Sequence, residues 1–163
     1  MRRITLLPLA CLTLAVSACG FQLEGVSSFP PQLASLYLAV PDPNSDLAVQ
    51  LRRSLAASGV GLTQDAAAGS ATLRLVDERY GRRVKSVSAQ NRPTEYEVYY
   101  EAQYEVASAG ETLLAPPRVS RSRVFPYSER DILGKQQEED LLREALARDI
   151  AGLITRQLAG LDP

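Results

Sequence analysis

The run EYEVYYEAQYEV, residues 95–106, constrains the fold more than any other stretch of the chain. Tyr96, Val98, Tyr100, Ala102, Tyr104 and Val106 alternate there with Glu95, Glu97, Tyr99, Glu101, Gln103 and Glu105. A period of two sends successive side chains to opposite faces of a strand, so the segment predicts a strand with one buried face and one carboxylate-lined face. The stripe of Tyr96, Tyr100 and Tyr104 is expected to pack beneath helices, because the buried face of such a strand needs a cover.

The flanking segments supply that cover. Leu33 to Val40 is short, apolar and closed by Pro41-Asp42-Pro43, which reads as a buried strand. Ser45 or Asp46 then caps a helix with Leu47, Leu51 and Leu55 at four-residue spacing and Gly59 just past its end. A strand from Ala71 to Val87 begins with Leu73 and Leu75 on one face but continues with Val76, Tyr80 and Val84, which calls for a bulge near Val76 to Glu78. Gly110 marks a turn, and a further strand is expected between Leu113 and Phe125, with Pro116-Pro117 holding its start to an edge or bulge. From about Ser128 the pattern turns helical, with Leu142, Leu146, Ile150, Leu153, Ile154 and Leu158 on one stripe and Gly134 expected to interrupt or delay the start. The predicted order is β-α-β-β-β-α. It implies an α+β, two-layer sandwich of a mostly antiparallel four-stranded sheet with two helices on one face.

The N-terminus has a different character. Residues 1–18 place Arg2 and Arg3 before an apolar run and end in small residues, the order of a secretory signal peptide. The run is shorter than the roughly 20 residues of a membrane span. Cys19 follows Val16, Ser17 and Ala18, an arrangement that resembles a lipobox, whose cysteine receives a diacylglyceryl group and an N-acyl chain after cleavage. The other cysteine, Cys11, would leave with the signal, so no disulfide is expected. By resemblance to lipoprotein sorting signals, Gly20 after the cysteine implies delivery to the outer membrane. Residues 19–32, rich in Gly, Ser and Pro, read as a tether, and 33–163 as a single domain.

Composition narrows the chemistry. The chain has no histidine, and its remaining cysteine is assigned to lipid, which excludes histidine-based acid/base catalysis, Cys-His nucleophiles and the common zinc sites. Glu95, Glu97, Glu101 and Glu105 form a ladder with steps of roughly 7 Å along one strand face, with nothing to desolvate one of them selectively. No catalytic residue, metal site or cofactor is therefore assigned. Loss of Arg2 and Arg3 with the leader moves the formal net charge from −1 to −3, so no bulk attraction to nucleic acid is expected.

The acidic strand is flanked by basic ones, with Arg79, Arg83 and Lys85 before it and Arg118, Arg121 and Arg123 after it. Exposed cross-strand ion pairs contribute only about 0–1 kcal/mol each, so this wealth of charge suggests a polar partner surface. Arg82, Arg83, Lys85 and Arg92 gather around the predicted hairpin tip, which reads either as a solvated charged loop or as an anionic-ligand contact, where guanidinium and ammonium groups suit a phosphorylated glycolipid.

The segments CGFQLEG, LRRSLAASGV, RRVKSVSAQNRPTEYEVYYEAQYEV and SRVFPYSERDILGKQQEEDLLREAL, in that order, resemble the LPS-assembly lipoprotein LptE family. The resemblance implies a non-enzymatic subunit of the outer-membrane lipopolysaccharide translocon, lipid-anchored on the periplasmic side. Such a subunit plugs and helps assemble the LptD β-barrel, one-to-one and within its lumen, and binds lipopolysaccharide in transit. On this reading Arg82, Arg83, Arg92 and Lys135 are candidate lipopolysaccharide contacts, and Arg121, Arg123, Glu97 and Glu101 are candidate barrel-facing residues. Two other readings stay open: a free periplasm-facing lipoprotein that scaffolds envelope proteins without binding lipopolysaccharide, and, with less support, an enzyme acting on envelope glycans.

Overall fold

The computed structural model describes residues 29–66, 71–115, 117–128 and 132–161; the leader, Cys19, Gly20 and Pro116 lie outside them. Chain order is β1 (Ser35–Ala39), α1 (Asp46–Ala57), β2 (Gly61–Thr63), β3 (Ala71–Val87), β4 (Pro93–Ser108), β5 (Glu111–Leu114), β6 (Arg118–Pro126) and α2 (Ile132–Ala159). A short 3-10 turn, Pro31–Leu33, precedes β1, and Phe29 already packs against the core. The sheet runs β2-β1-β3-β4-β5, with β6 also paired to β4. Its β1 pairs are parallel and the rest antiparallel.

The α+β arrangement of two helices on one face of a sheet agrees with the sequence reading, but the sheet has six strands where four were expected. Three-residue β2 is too short to show a period. The single strand expected over 113–125 is two strands: β5 pairs with the C-terminal end of β4 and β6 with its N-terminal half, the break falling around Pro117. A proline cannot donate to a ladder, which is why pairing changes there. Gly134 lies within α2 and does not interrupt it.

Strand β4 organises the core. Val98, Tyr100, Ala102, Tyr104 and Val106 are buried together with Leu47, Leu51 and Leu55 of α1 and Leu146, Ile150, Ile154 and Leu158 of α2. Burying one such aliphatic side chain stabilises the fold by about 1.5–3 kcal/mol. The phenols of the stripe reach polar partners: Tyr104 donates to Gln157 and Tyr100 to Glu78. Burial pushes the Tyr104 phenol up to about 12, and burial followed by the Glu78 bond raises that of Tyr100 above its ordinary value. Tyr96 sits further out, 4.9 Å edge-on from Tyr127 and 6.2 Å from Phe125.

Local signals seen in the sequence have physical counterparts. Ser45 Oγ accepts from Ala48 N at 3.2 Å and donates to Glu78 Oε2 at 2.9 Å, capping α1 and fastening it to β3. Gly59 takes φ 85° just past the helix, where a Cβ would be strained. The register of β3 against β4 slips between Leu75 and Asp77, which places the expected bulge at Val76.

The β4–β5 turn has a left-handed residue that is not glycine. Ala109 has φ 52° and Gly110 φ 83°, a pair of positive values suited to a two-residue hairpin. Alanine in that region costs roughly 1–2 kcal/mol, whereas asparagine visits it routinely. Ala109→Asn is therefore expected to raise unfolding stability by up to about 1 kcal/mol, read as a higher urea midpoint at unchanged slope; a lower midpoint would contradict this account of the turn.

Candidate functional site

Among the described residues, the helices leave the other face of the sheet uncovered. Register places Arg74, Asp77, Arg79, Gly81 and Arg83 of β3 opposite Glu105, Gln103, Glu101, Tyr99 and Glu97 of β4, and Ser120 and Ser122 of β6 opposite Glu101 and Tyr99. Ion pairs run along this face: Arg74 with Glu105, Arg79 with Asp77, Arg118 with Glu101 at 3.6 Å, and Arg83 with Glu97. Tyr99 lies across Gly81, where a Cβ would meet its ring, and the Arg83 guanidinium is 5.4 Å from that ring's centroid.

Glu97 is the centre of the ladder, and alternation alone would have left it solvated. Its relative exposure is only 6%. Arg83 Nε donates to Oε2 at 2.6 Å, Ser122 Oγ donates to Oε1 at 2.9 Å, and Lys85 Nζ stands 3.9 Å away. The Arg83 and then the Ser122 hydrogen bonds hold the carboxyl below the usual glutamate range. Two cations thus share one carboxylate. Beside it lies a shallow cavity of about 280 Å³ lined by Arg83, Tyr99, Glu101, Ser120, Arg121 and Ser122.

The residues singled out from sequence do not form one cluster. Arg82 and Arg83, adjacent in β3, point to opposite faces. Arg82 is on the helix side, 2.7 Å from Glu139 and with its guanidinium 4.6 Å from the Tyr96 ring centroid. Lys135, in the first turns of α2, is 2.7 Å from Glu138. Only Arg92 belongs to the loop at the hairpin tip, which is closed by Ser88 N to Arg92 O at 2.8 Å. Of the candidate barrel-facing residues, Glu97 and Glu101 share the uncovered face and Arg121 lines its cavity, whereas Arg123 bridges to Asp149 of α2 at 2.7 Å. Sequence reading missed Glu139, which takes hydrogen bonds from both Arg82 and Tyr80. It also missed Ser122, and Gly81, whose place opposite an aromatic in a regular strand was the available signal.

Residues 33–158 match the family LptE, described as lipopolysaccharide-assembly. The LPS-assembly lipoprotein LptE of Pectobacterium atrosepticum is 29% identical over 157 residues, spanning 96% of this chain and 85% of the relative. Its counterpart in Yersinia enterocolitica is 28% identical over 157 residues, spanning 96% and 75%. The solution structure of lipoprotein B from Nitrosomonas europaea superposes with a TM-score of 0.72 at 24% identity, covering 86% of this chain and 90% of that one, and shows the same fold. The crystal structure of rare lipoprotein B from Shewanella oneidensis gives 0.68 at 26% identity, covering 77% and 93%.

The Glu97 cluster makes a pH prediction. A carboxyl whose folded pKa is lowered adds stability above its unfolded value, near pH 4.3, and loses it as pH falls through the folded value. Glu97→Gln removes that contribution. Between pH 5 and pH 3 the melting temperature of the wild type should fall more steeply than that of the variant, and parallel curves would show that Glu97 is not coupled to folding.

Proposed function

Because this chain belongs to the LptE family of non-enzymatic lipopolysaccharide-assembly lipoproteins, we propose that it is the outer-membrane lipoprotein subunit of the lipopolysaccharide translocon, seated one-to-one in the lumen of the LptD β-barrel. It plugs the barrel, helps it assemble, and binds lipopolysaccharide on its way to the outer leaflet. Cys19 carries the acyl chains, and several chains on one residue provide the stable anchoring that a single chain lacks.

The observation that carries this reading is the uncovered face of the sheet. A barrel lumen is polar, and a ladder of paired Glu, Arg, Ser and Tyr side chains offers it many hydrogen-bonding groups. Glu97, Glu101 and Arg121 serve this contact directly, and Arg123, paired with Asp149 of α2, joins the barrel-facing set from the helix side of β6. For the glycolipid, the pairing of Arg83 and Lys85 with one carboxylate leaves local positive charge suited to phosphate. Arg82, Arg92 and Lys135 complete the proposed set from the helix side and the tip.

Gentle extraction of the acylated protein from outer membranes, followed by native mass measurement, should give a one-to-one complex with a large β-barrel protein. Recovery of the lipoprotein alone, under conditions that keep other barrel complexes intact, would instead favour a free periplasm-facing scaffold. Neutralising Arg82, Arg83, Arg92 and Lys135 together should weaken lipopolysaccharide binding at least tenfold in a variant with unchanged circular dichroism; unchanged affinity would reject those residues as contacts.

A further inference from the structure

Both helix-side cations assigned above to the glycolipid are already answered by carboxylates of α2. Arg82 Nη1 is 2.7 Å from Glu139 Oε2, and Lys135 Nζ is 2.7 Å from Glu138 Oε2. A ligand phosphate reaching Arg82 would meet an occupied site, so binding there is an exchange of one anion for another.

Glu139 is held as an anionic ligand would be. Its Oε2 accepts from Arg82 and its Oε1 from the Tyr80 hydroxyl at 3.0 Å, so two donors of β3 converge on an acid from a different element. Each donor has a second support. The Arg82 guanidinium lies 4.6 Å from the Tyr96 ring centroid, and Tyr96 is braced edge-on by Tyr127 at 4.9 Å. The Tyr80 ring is 5.9 Å from that of Tyr100. Burial, followed by the Glu139 bond, raises the Tyr80 phenol above its ordinary value, which keeps it a neutral donor. The helix is the partner able to give way. Among the described side chains of α2 none before Leu146 is buried, and a segment with so little buried surface moves at low cost.

A phosphate monoester has two advantages over this carboxylate. It carries roughly −1.5 to −2 charge at pH 7 and three strong acceptor oxygens, against one charge and two oxygens on Glu139. Lys135, four residues before Glu139 and so on the same face of α2, is a further donor within one helical turn. A ligand carboxylate has neither advantage and competes with an in-chain one present at high effective concentration. We propose, resting on the glycolipid reading of Arg82, that Glu139 is an internal competitor that gates this site. The phosphate of the glycolipid binds by displacing it from Arg82 and Tyr80, and ligands without phosphate are refused. The gate lowers the apparent affinity by the fraction of molecules in which the site is open. Removing the competitor's charge therefore strengthens binding, whereas loss of a merely structural ion pair would weaken it or leave it unchanged.

The test measures binding of purified lipopolysaccharide, and of the same material with its phosphates removed, to the full-length protein in detergent. Glu139→Gln and Glu139→Ala should each bind the phosphorylated form at least fivefold more tightly than the wild type, and the dephosphorylated form no better. In an Arg82→Gln background the same changes should alter affinity less than twofold, since the competitor then has no site to block. Glu144→Gln removes an equal charge from α2, beside Arg148, and should leave affinity within twofold. If the wild type binds and both Glu139 variants, with unchanged circular dichroism, bind no more tightly, the gate is rejected while the glycolipid reading stands. An equal gain from Glu144→Gln also rejects the gate, as an effect of net charge. If neither the wild type nor the Glu139 variants bind the phosphorylated form, the glycolipid reading of Arg82 and the gate fall together.

Discussion

Everything in this protein hangs on the pairing of β4 with strands on both of its sides. Strand β3 accompanies it along nearly its whole length, and β5 and β6 divide its other edge between them. A strand held on both sides cannot shift its register by one residue without turning every side chain over. The division into a tyrosine and aliphatic face beneath the helices and a carboxylate face without them is therefore fixed by one segment. The helices follow from it, joined across the core by Ser54 with Thr155 at 2.8 Å and by Arg143 with Asp46 at 2.8 Å.

That dependence explains what the sequence could disclose. The alternation of residues 95–106, the Ser45 cap, the bulge at Val76 and the apolar stripe of α2 are local patterns, and each appears where its period or spacing indicated. Strand β2 and the split between β5 and β6 were not legible, since a run of three or four residues carries no period and its pairing depends on where β4 has an edge to offer. At the candidate site, Arg82 and Arg83, gathered at the hairpin tip in the sequence reading, stand on opposite faces of β3. Their partners were another matter: Glu139 is 57 residues from Arg82. The burial of Glu97 was hidden for the same reason. On its own strand it belongs to the solvent side, and only the convergence of Arg83, Lys85 and Ser122 from two other strands encloses it.

The functional consequence is a molecule that works through surfaces. Charges on isolated surface pairs contribute little to stability, yet here they form a ladder on the sheet face that the described helices leave uncovered. Family membership supplies the setting of lipopolysaccharide assembly, and the ladder suits a polar, enclosing partner. On the proposed reading the uncovered side makes the barrel contact, while the helix side holds the core and lends Arg82 and Lys135 to the glycolipid.

The most direct measurement of that division is hydroxyl-radical footprinting of the lipoprotein alone and in the complex recovered from outer membranes, following Tyr99 on the uncovered face and the exposed Leu141 of α2. The account predicts that Tyr99 loses most of its oxidation in the complex, by a larger factor than Leu141. If Tyr99 is oxidised at the same rate in both states while Leu141 is protected, the contact surface lies on the helices and the central claim is wrong.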